Sequence, residues 1–250
     1  MRLTILPDRD ALMHTAAERF VTAATAAVRA SGRFLVALSG GATPLPLYAL
    51  LASADLRSAV DWPCVHLFWV DERCVPPDHA ASNYRAVRET LLDHVEVPEH
   101  NVHRIRGEDD PTAAAAVYER ELRSAFRTAD GPPRRTAGAR FDLVLLGMGD
   151  DGHTASLFPS SPALRERQLW VMAQQVEGAP TWRVTLTPPV IDAAAEVVFV
   201  VSGTSKAETL RRVLEGPHRP DHLPAQAVAP KEGRLLWLVD ADAARTLTTR

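Results

Sequence analysis

Continuous runs of apolar residues recur along this chain, and most are followed by a segment with the spacing of a helix. The longest such segment extends from about Asp10 to Ala30, and its helical period is carried by Leu12, Ala16, Phe20 and Ala24. The apolar runs are LTIL at 3–6, RFLVAL at 33–38, VHLFWV at 65–70, FDLVLL at 141–146, EVVFVV at 196–201 and LLWLV at 235–239. Strands that are apolar along their whole length are typical of a parallel sheet with helices on both faces. The sequence therefore predicts an α/β fold built on a mainly parallel sheet.

The balance of charge excludes several classes of partner. The 250 residues are 46% apolar and 24% charged, which is typical of globular proteins, and the formal net charge is -3. We expect no nucleic-acid partner, because the chain lacks the basic field that binds phosphate backbones. No window approaches the roughly 20 apolar residues of a membrane span, and the N-terminal residues lack the apolar core of a signal peptide. We therefore expect no membrane partner and a cytoplasmic location.

Two turn-rich segments interrupt the alternation of strands and helices, at 128–140 and 216–224. We expect both to be surface loops. The first could also be a linker between two domains, but strands and helices resume on both sides of it. We therefore predict a single domain over residues 1–250 and expect it to be a monomer.

In an open parallel sheet, ligands bind beyond the carboxyl ends of the strands, so the loops after the strands are the candidate site segments. The first is SGGATP at 39–44. Gly40 and Gly41 let the backbone approach a ligand closely, Thr43 can cap the following helix, and exposed amides at a helix N-terminus bind phosphate. The alternative is an ordinary tight turn. A Walker loop is excluded, because no Gly-Lys-Ser/Thr follows.

Two further strand ends carry a cation. In VDER at 70–73, Arg73 can clamp an anion bidentately and the carboxylate pair of Asp71 and Glu72 can orient a hydroxyl group, although a salt bridge at the sheet edge would also explain these residues. In SGTSKAETL at 202–210, Lys206 lies in the first turn of a predicted helix, where its charge opposes the helix dipole. A bound anion would offset that unfavourable position, and a solvated lysine is the alternative.

The loop GMGDDGH at 147–153 fits the G-x-G-x-x-G pattern of a dinucleotide site, but its side chains argue against one. Asp150 and Asp151 would repel a pyrophosphate, and no acidic residue for a ribose occurs at 171–175. The triplet Asp-Gly-His instead places an imidazole beside a carboxylate that can orient it. His153 is therefore the candidate general base.

We expect neither a metal ion nor a disulfide. Aspartate and histidine are both metal ligands, but no third ligand accompanies His153 at a characteristic spacing. Cys64 and Cys74 form no Cys-x-x-Cys pair, and we interpret both as structural residues of a protein in a reducing compartment.

Taken in order, these loops resemble one known family over about residues 35–240. The matching stretches are SGGATPLPLYALL at 39–51, WVDERCVPPDHAASNYRAVRETLL at 69–92, FDLVLLGMGDDGHTASLFP at 141–159, RVTLTPPVIDAA at 183–194, VVFVVSGTSKAETL at 197–210 and LPAQAV at 223–228. They resemble the 6-phosphogluconolactonases, which are related to the glucosamine-6-phosphate deaminases. The second and third stretches are specific, whereas SGGATP is shared with the deaminases.

The resemblance implies hydrolysis of 6-phospho-D-glucono-1,5-lactone to 6-phospho-D-gluconate, the second step of the oxidative pentose phosphate pathway. It also implies a modified doubly wound, Rossmann-like fold and no cofactor. The deaminases carry a glutamate that helps ring opening where this chain has Phe158, and this difference favours the lactonase. Asp192 departs from the family pattern, which has asparagine there, and the departure bears on that turn rather than on the chemistry.

The resemblance and the loop chemistry together predict a role for each residue. His153 takes a proton from the attacking water and returns it to the leaving ring oxygen, while Asp151 orients the imidazole and stabilises its charged form. Asp71 and Asn83 contact sugar hydroxyls. Arg183 lies near the phosphate or the developing oxyanion, unless it only forms an ion pair at the sheet edge. The phosphate is held by Ser39, Gly40, Gly41, Thr43, Arg73 and Lys206.

Two other functions compete with this prediction. An amino-sugar phosphate deaminase of the same fold would release ammonia from glucosamine 6-phosphate, and Phe158 argues against it. A noncatalytic sugar-phosphate sensor would keep the pocket without the turnover. Such a sensor has no need of His153 and Asp151, so their presence favours the enzyme.

Overall fold

Strands and helices alternate along the chain in the computed structural model, which describes residues 1–127, 140–176 and 181–248. The strands are β1 (Arg2–Leu6), β2 (Phe34–Leu38), β3 (Val65–Trp69), β4 (Asp71–Arg73), β5 (Val102–His103), β6 (Leu143–Leu146), β7 (Val171–Gln175), β8 (Trp182–Leu186), β9 (Glu196–Val201) and β10 (Arg234–Asp240). The helices are α1 (Arg9–Ser31), α2 (Leu45–Ala52), α3 (Asn83–Thr90), α4 (Pro111–Arg127), α5 (Pro162–Arg165), α6 (Pro188–Asp192) and α7 (Ala207–Glu215). The loop predicted at 216–224 is confirmed over 216–222, whereas the one predicted at 128–140 falls outside the described residues except for Arg140.

A seven-stranded parallel sheet forms the centre of the molecule, in the order β1-β10-β9-β6-β2-β3-β5. From β2 the chain adds β3 and β5 on one side, and it then crosses back to add β6, β9 and β10 on the other. The strand order therefore reverses between β2 and β6. This is the topological switch point at which parallel sheets open a crevice for ligands.

The central strands are buried on both faces, as their continuous apolar sequences predict. Every residue of β2, β6 and β9 is buried. Helix α1 packs against β2 and β10, and its buried face is formed by Leu12, Met13, Ala16, Ala17, Phe20, Ala24 and Ala27. The helix begins where the Asp8 carboxylate accepts a hydrogen bond from the Ala11 amide, and it ends at Gly32, whose φ is 72°. The α/β fold is confirmed. In the described part of the chain, no helix combines the length and the apolar character needed to cross a lipid bilayer.

A second, antiparallel sheet of three strands, in the order β4-β8-β7, was not predicted. Val70 joins it to the parallel sheet, because its amide donates to the carbonyl of Leu38 at 2.9 Å and its carbonyl accepts from the amide of Leu186 at 2.8 Å. The chain therefore leaves the parallel sheet directly after β3. As a result, the residues of β4 extend over the carboxyl ends of the parallel strands.

Asp192, the departure from the family pattern, ends helix α6. Its Oδ1 accepts a hydrogen bond from the amide of Ala229 at 2.8 Å. An asparagine carbonyl would accept the same bond, so the turn can form with either residue. Burial raises the pKa of the Asp192 carboxyl.

The edge of the sheet at β3 and β5 carries a partly buried histidine pair that makes stability depend on pH. His66 Nδ1 lies 3.2 Å from His103 Nε2, and His103 Nδ1 lies 2.8 Å from the Glu121 carboxylate. Burial, helped by the nearby charges of His103, Arg33 and His100, lowers the pKa of His66 from 6.5 to about 4. The folded protein therefore favours the neutral ring, and this contribution to stability is full above the unfolded pKa and is lost as pH falls toward the folded value.

We expect His66 to account for a loss of about 1–2 kcal/mol in the free energy of unfolding between pH 6.5 and pH 4, allowing for the half-exposed position of the ring. Urea denaturation of the wild type and of His66→Gln across this range measures the effect, because the variant lacks the pH-dependent part. His14→Gln, at an exposed position on α1, is the matched control. A wild-type and a His66→Gln curve that run parallel over the whole range would contradict the assignment.

Candidate active site

A cleft of about 370 Å³ opens at the switch point, beyond the carboxyl ends of β2, β3 and β6. All the predicted site residues except Asp151 line it, namely Ser39, Gly40, Gly41, Thr43, Asp71, Arg73, Asn83, His153, Arg183 and Lys206. Asp151 contacts the His153 ring without lining the cleft itself. The loops predicted from the sequence therefore line one cleft, although the first and the last of them are more than a hundred residues apart along the chain.

The SGGATP loop is shaped by the absence of side chains. A Cβ on Gly40 would lie 1.9 Å from Asn83 Oδ1, and Gly41 has a φ of 86°. Other residues would clash at the first position and be strained at the second. The buried Ser39 donates its hydroxyl proton to the Leu145 carbonyl at 2.7 Å, so that proton is not directed into the cleft. The prediction that Thr43 caps the next helix is wrong, because Pro44 takes the N-cap position of α2 and no side chain caps it.

Asp71 forms the polar floor of the cleft and is almost fully buried. It accepts a hydrogen bond from Ser156 Oγ at 2.6 Å and one from Asn83 Nδ2 at 3.2 Å. A buried carboxylate with two such donors stays fixed and keeps acceptor positions for a hydroxyl group of a ligand. Ser156 is a site residue that sequence reasoning missed, although it lies in the quoted stretch TASLFP.

Glu72 holds the start of helix α3 in place. Its buried carboxylate accepts from the amides of Asn83 at 2.7 Å and Tyr84 at 2.8 Å, and from Ser82 Oγ at 3.0 Å. Burial raises the pKa of Glu72 although these amides oppose the shift. A carboxylate at a helix N-terminus is favoured by the unpaired amides there. The carboxylate of VDER that seemed a candidate for substrate contact therefore positions Asn83, while its neighbour Asp71 faces the cleft.

Arg73 and Arg183 lie directly opposite one another on the antiparallel strands β4 and β8. Neither guanidinium has a carboxylate within salt-bridge distance among the described residues, and Arg73 instead donates to the Ala81 carbonyl at 2.6 Å. Burial and the charge of Arg73 lower the pKa of Arg183. Two like charges held side by side are unfavourable unless an anion joins them. The sheet-edge ion pair considered for each arginine is not formed, and the pair is suited to bind an anion.

The loop after β6 presents His153 to the cleft. Its Nδ1 lies 2.6 Å from Asp151 Oδ1, which also accepts the His153 amide at 3.0 Å. A carboxylate only accepts, so Nδ1 carries the proton and Nε2 is left as the basic nitrogen. Burial alone would raise the pKa of Asp151, but the hydrogen bonds from His153 outweigh it and lower the pKa. A Cβ on Gly149 would lie 2.1 Å from His153 Nδ1, so only glycine fits beneath the ring.

Phe158 stacks on this imidazole. The ring centroids are 4.3 Å apart and the planes are inclined by 30°. Together with the bond to Asp151, this contact limits rotation of the His153 ring. The residue that distinguishes the chain from the deaminase pattern is therefore in direct contact with the candidate base.

The remaining cleft cation, Lys206, lies in a 3-10 helix (Thr204–Lys206) that precedes α7. Its Nζ forms a salt bridge with Asp150 Oδ1 at 2.6 Å. The loop that carries it is tied to β10, since the amide of Gly203 donates to the buried Asp240 carboxylate at 3.1 Å. Asp240 was not singled out in the sequence, and no local motif marks it.

Within residues 1–127, 140–176 and 181–248, no three histidine, cysteine or carboxylate side chains are grouped so that they could hold a metal ion. Cys64 and Cys74 are free thiols. Burial raises the pKa of Cys74 to about 11, so this thiol stays protonated near neutral pH.

Comparison with known proteins gives a consistent result. Residues 7–237 match the family model described as glucosamine-6-phosphate isomerases/6-phosphogluconolactonase. The 6-phosphogluconolactonase of Nostoc sp. is 40% identical over 98% of this chain and 97% of its own, and that of Mycobacterium tuberculosis is 38% identical over 98% of each chain. The solved structure of the 6-phosphogluconolactonase from Trypanosoma cruzi superposes with a TM-score of 0.86 at 29% identity, over 99% of this chain and 97% of that one.

Proposed function

The chain belongs to the glucosamine-6-phosphate isomerase/6-phosphogluconolactonase family, and we propose that it acts within that family as a 6-phosphogluconolactonase. It hydrolyses 6-phospho-D-glucono-1,5-lactone to 6-phospho-D-gluconate in the oxidative pentose phosphate pathway. One observation supports this proposal most directly. A single cleft contains both an imidazole bonded to a carboxylate and two guanidiniums that have no carboxylate partner in the described residues. The first suits proton transfer and the second suits a phosphate.

His153 serves as general base and then as general acid. Nε2 takes a proton from water as the water oxygen bonds to the lactone carbonyl carbon. The bond between that carbon and the ring oxygen then breaks, and the ring oxygen receives the proton back from the imidazolium. The product acid loses a proton to solvent. Asp151 keeps the imidazole in the required tautomer and stabilises its charged form.

The phosphate is held away from the reacting carbon. Arg73 and Lys206 supply charge, and the amides of Gly40 and Gly41 supply donors from a loop that can approach closely. Ser39 and Thr43 belong to the same loop and line the cleft. Arg183 lies beside Arg73 at the phosphate or at the developing oxyanion. Binding at this remote group orients the lactone for attack.

The sugar ring lies between these two ends. Asp71 is fixed by Ser156 and Asn83, and it accepts hydrogen bonds from sugar hydroxyls at its remaining lone pairs. Asn83 contributes its amide oxygen beside Gly40. We propose no cofactor and no metal for this reaction, and we propose a single-domain, monomeric protein of the cytoplasm.

The proposal is tested by generating the lactone in the assay and following acid release with and without the protein. We expect release to accelerate in proportion to protein concentration. Glucosamine 6-phosphate is the comparison substrate, and ammonia is the product to measure. Release of ammonia without acceleration of lactone loss would overturn the proposal in favour of a deaminase, and ligand-induced stabilisation without either reaction would favour a sensor.

Replacement of Phe158 by alanine is expected to lower kcat about 3- to 10-fold with little change in KM, because an aromatic stacking contact contributes about 0.5–1.5 kcal/mol. The His153 ring would then be held by Asp151 alone. Steady-state kinetics of the purified variant measures the effect, and Phe158→Tyr, which keeps the stack, is the matched control. An equal loss of kcat in both variants would show that the stacking contact is not the cause.

A further inference from the structure

The salt bridge between Lys206 and Asp150 distinguishes this cation from the other two in the cleft. Lys206 lines the cleft and its side chain is 19% exposed, whereas Asp150 is not a lining residue and is 74% exposed. Their charged atoms are 2.6 Å apart. Arg73 and Arg183, by contrast, have no such counter-ion within the described residues. The ammonium of Lys206 is therefore partly neutralised by Asp150, and the guanidiniums are not neutralised in this way.

Asp150 is fixed beside Lys206 by its backbone. Thr209 Oγ1, in the first turn of α7, donates to the Asp150 carbonyl at 2.7 Å. This bond ties the loop after β6 to the segment that carries Lys206. A carboxylate held here either shares the ammonium with an incoming anion or loses it to that anion. In both cases a dianion in the cleft is repelled by a carboxylate close to the ammonium.

We propose that Asp150 is an internal counter-ion that competes with the substrate's phosphate for Lys206 and thereby sets how strongly the cleft prefers phosphorylated over unphosphorylated lactones. This inference rests on the proposed function, since it assigns a specificity-determining residue to that reaction. Asp150 does not touch the reacting atoms. It acts through Lys206, so its effect is confined to ligands with an anionic group.

The test is Asp150→Asn, which keeps the shape of the side chain and the backbone bond to Thr209. The ratio of kcat/KM for the phosphorylated lactone to that for glucono-1,5-lactone is expected to rise about 3- to 5-fold, as for one exposed like charge removed near a dianion. Inhibition by inorganic phosphate is expected to tighten by a similar factor. Both gains are expected to shrink as salt is raised, because the screening length falls from about 10 Å at 0.1 M to about 3 Å at 1 M.

Glu208→Gln is the matched control. It removes the same charge from the next turn, where Glu208 is 60% exposed and pairs with Arg211 outside the cleft. The gain from Asp150→Asn is also expected to be smaller in a Lys206→Met background, because the competition for the ammonium is then absent.

Four results would overturn the inference. An unchanged ratio in Asp150→Asn would mean that Asp150 does not compete for Lys206, and a lower ratio would mean that Asp150 holds Lys206 ready for the anion. An equal gain in Glu208→Gln would mean that net charge alone matters, and an equal gain in the Lys206→Met background would mean that Asp150 does not act through the lysine.

A binding measurement separates this inference from the proposed function. Stabilisation by inorganic phosphate, read as a shift in Tm for the wild type, Asp150→Asn and Glu208→Gln, requires no turnover. If the wild type failed to hydrolyse the lactone while phosphate stabilised Asp150→Asn selectively, the proposed function would be wrong and the role of Asp150 would stand. If the wild type hydrolysed the lactone and the three Tm shifts were equal, the proposed function would stand and the role of Asp150 would be wrong.

Discussion

Replacement of His153 by alanine is expected to lower kcat for the phosphorylated lactone about 10²- to 10⁴-fold, which is the usual contribution of general acid-base catalysis. KM should stay within a few-fold, because the groups proposed to bind the phosphate are untouched. The lactone also hydrolyses in water without a catalyst, so that background has to be subtracted. Stopped-flow measurement of acid release at saturating substrate gives kcat directly.

Two companion variants sharpen this experiment. Asp151→Asn keeps the hydrogen-bonding shape but removes the charge that stabilises the imidazolium and fixes its tautomer, so it should also lower kcat while KM is maintained. His14→Ala, on the exposed face of α1, is the control for loss of a histidine elsewhere. Full activity in His153→Ala would remove this residue from the role of base, whatever the behaviour of Asp151→Asn.

The central fold could be predicted because its signal is local. β2 and β6 are apolar at every position, β9 is apolar at every position after Glu196, and α1 has its apolar residues at the period of the face it presents. The four loops that carry most of the candidate site residues followed from one general rule, that ligands bind beyond the carboxyl ends of the strands, whereas Asn83 and Arg183 were suggested by the family resemblance. That rule requires no knowledge of which strands are neighbours.

The antiparallel sheet could not be predicted in the same way. β4 has three residues, and it pairs with β8 more than a hundred positions further on, with Asp71 opposite Thr185. Neither strand is apolar along its length, and pairing at such a distance leaves no local period. The juxtaposition of Arg73 and Arg183 is a consequence of that register. The sequence could therefore suggest each arginine for the site but not that the two lie together.

The prediction that Thr43 caps α2 failed for a local reason. Thr43 is a good N-cap residue by type, but Pro44 already occupies that position in the structure, so the threonine side chain has no amide to accept from there. Ser156 and Glu72 show the reverse situation. The role of each depends on a contact that the local sequence does not mark: Ser156 donates to the carboxylate of Asp71, 85 residues away, and Glu72 accepts from the backbone amides at the start of α3.

The second large effect is expected for Arg73→Ala, which should raise KM for the phosphorylated lactone roughly 10- to 100-fold with a smaller change in kcat. A hydrogen bond to a charged group contributes about 1.5–3 kcal/mol, and a guanidinium is suited to hold a phosphate through two such bonds. Arg73→Lys should recover part of the loss, because it restores the charge but not the planar fork. Steady-state kinetics with phosphorylated and unphosphorylated lactone measures both, and only the former should respond strongly.

Arg85→Ala provides the control for structural damage. Arg73 donates to the carbonyl of Ala81 and Arg85 donates to that of Asp78, so both side chains support the same loop, but only Arg73 lines the cleft. A similar rise in KM in both variants would attribute the effect to the loop. A loss of kcat without a rise in KM in Arg73→Ala would instead place its guanidinium at the developing oxyanion, with Arg183 left as the arginine that holds the phosphate, because the two lie opposite one another across β4 and β8.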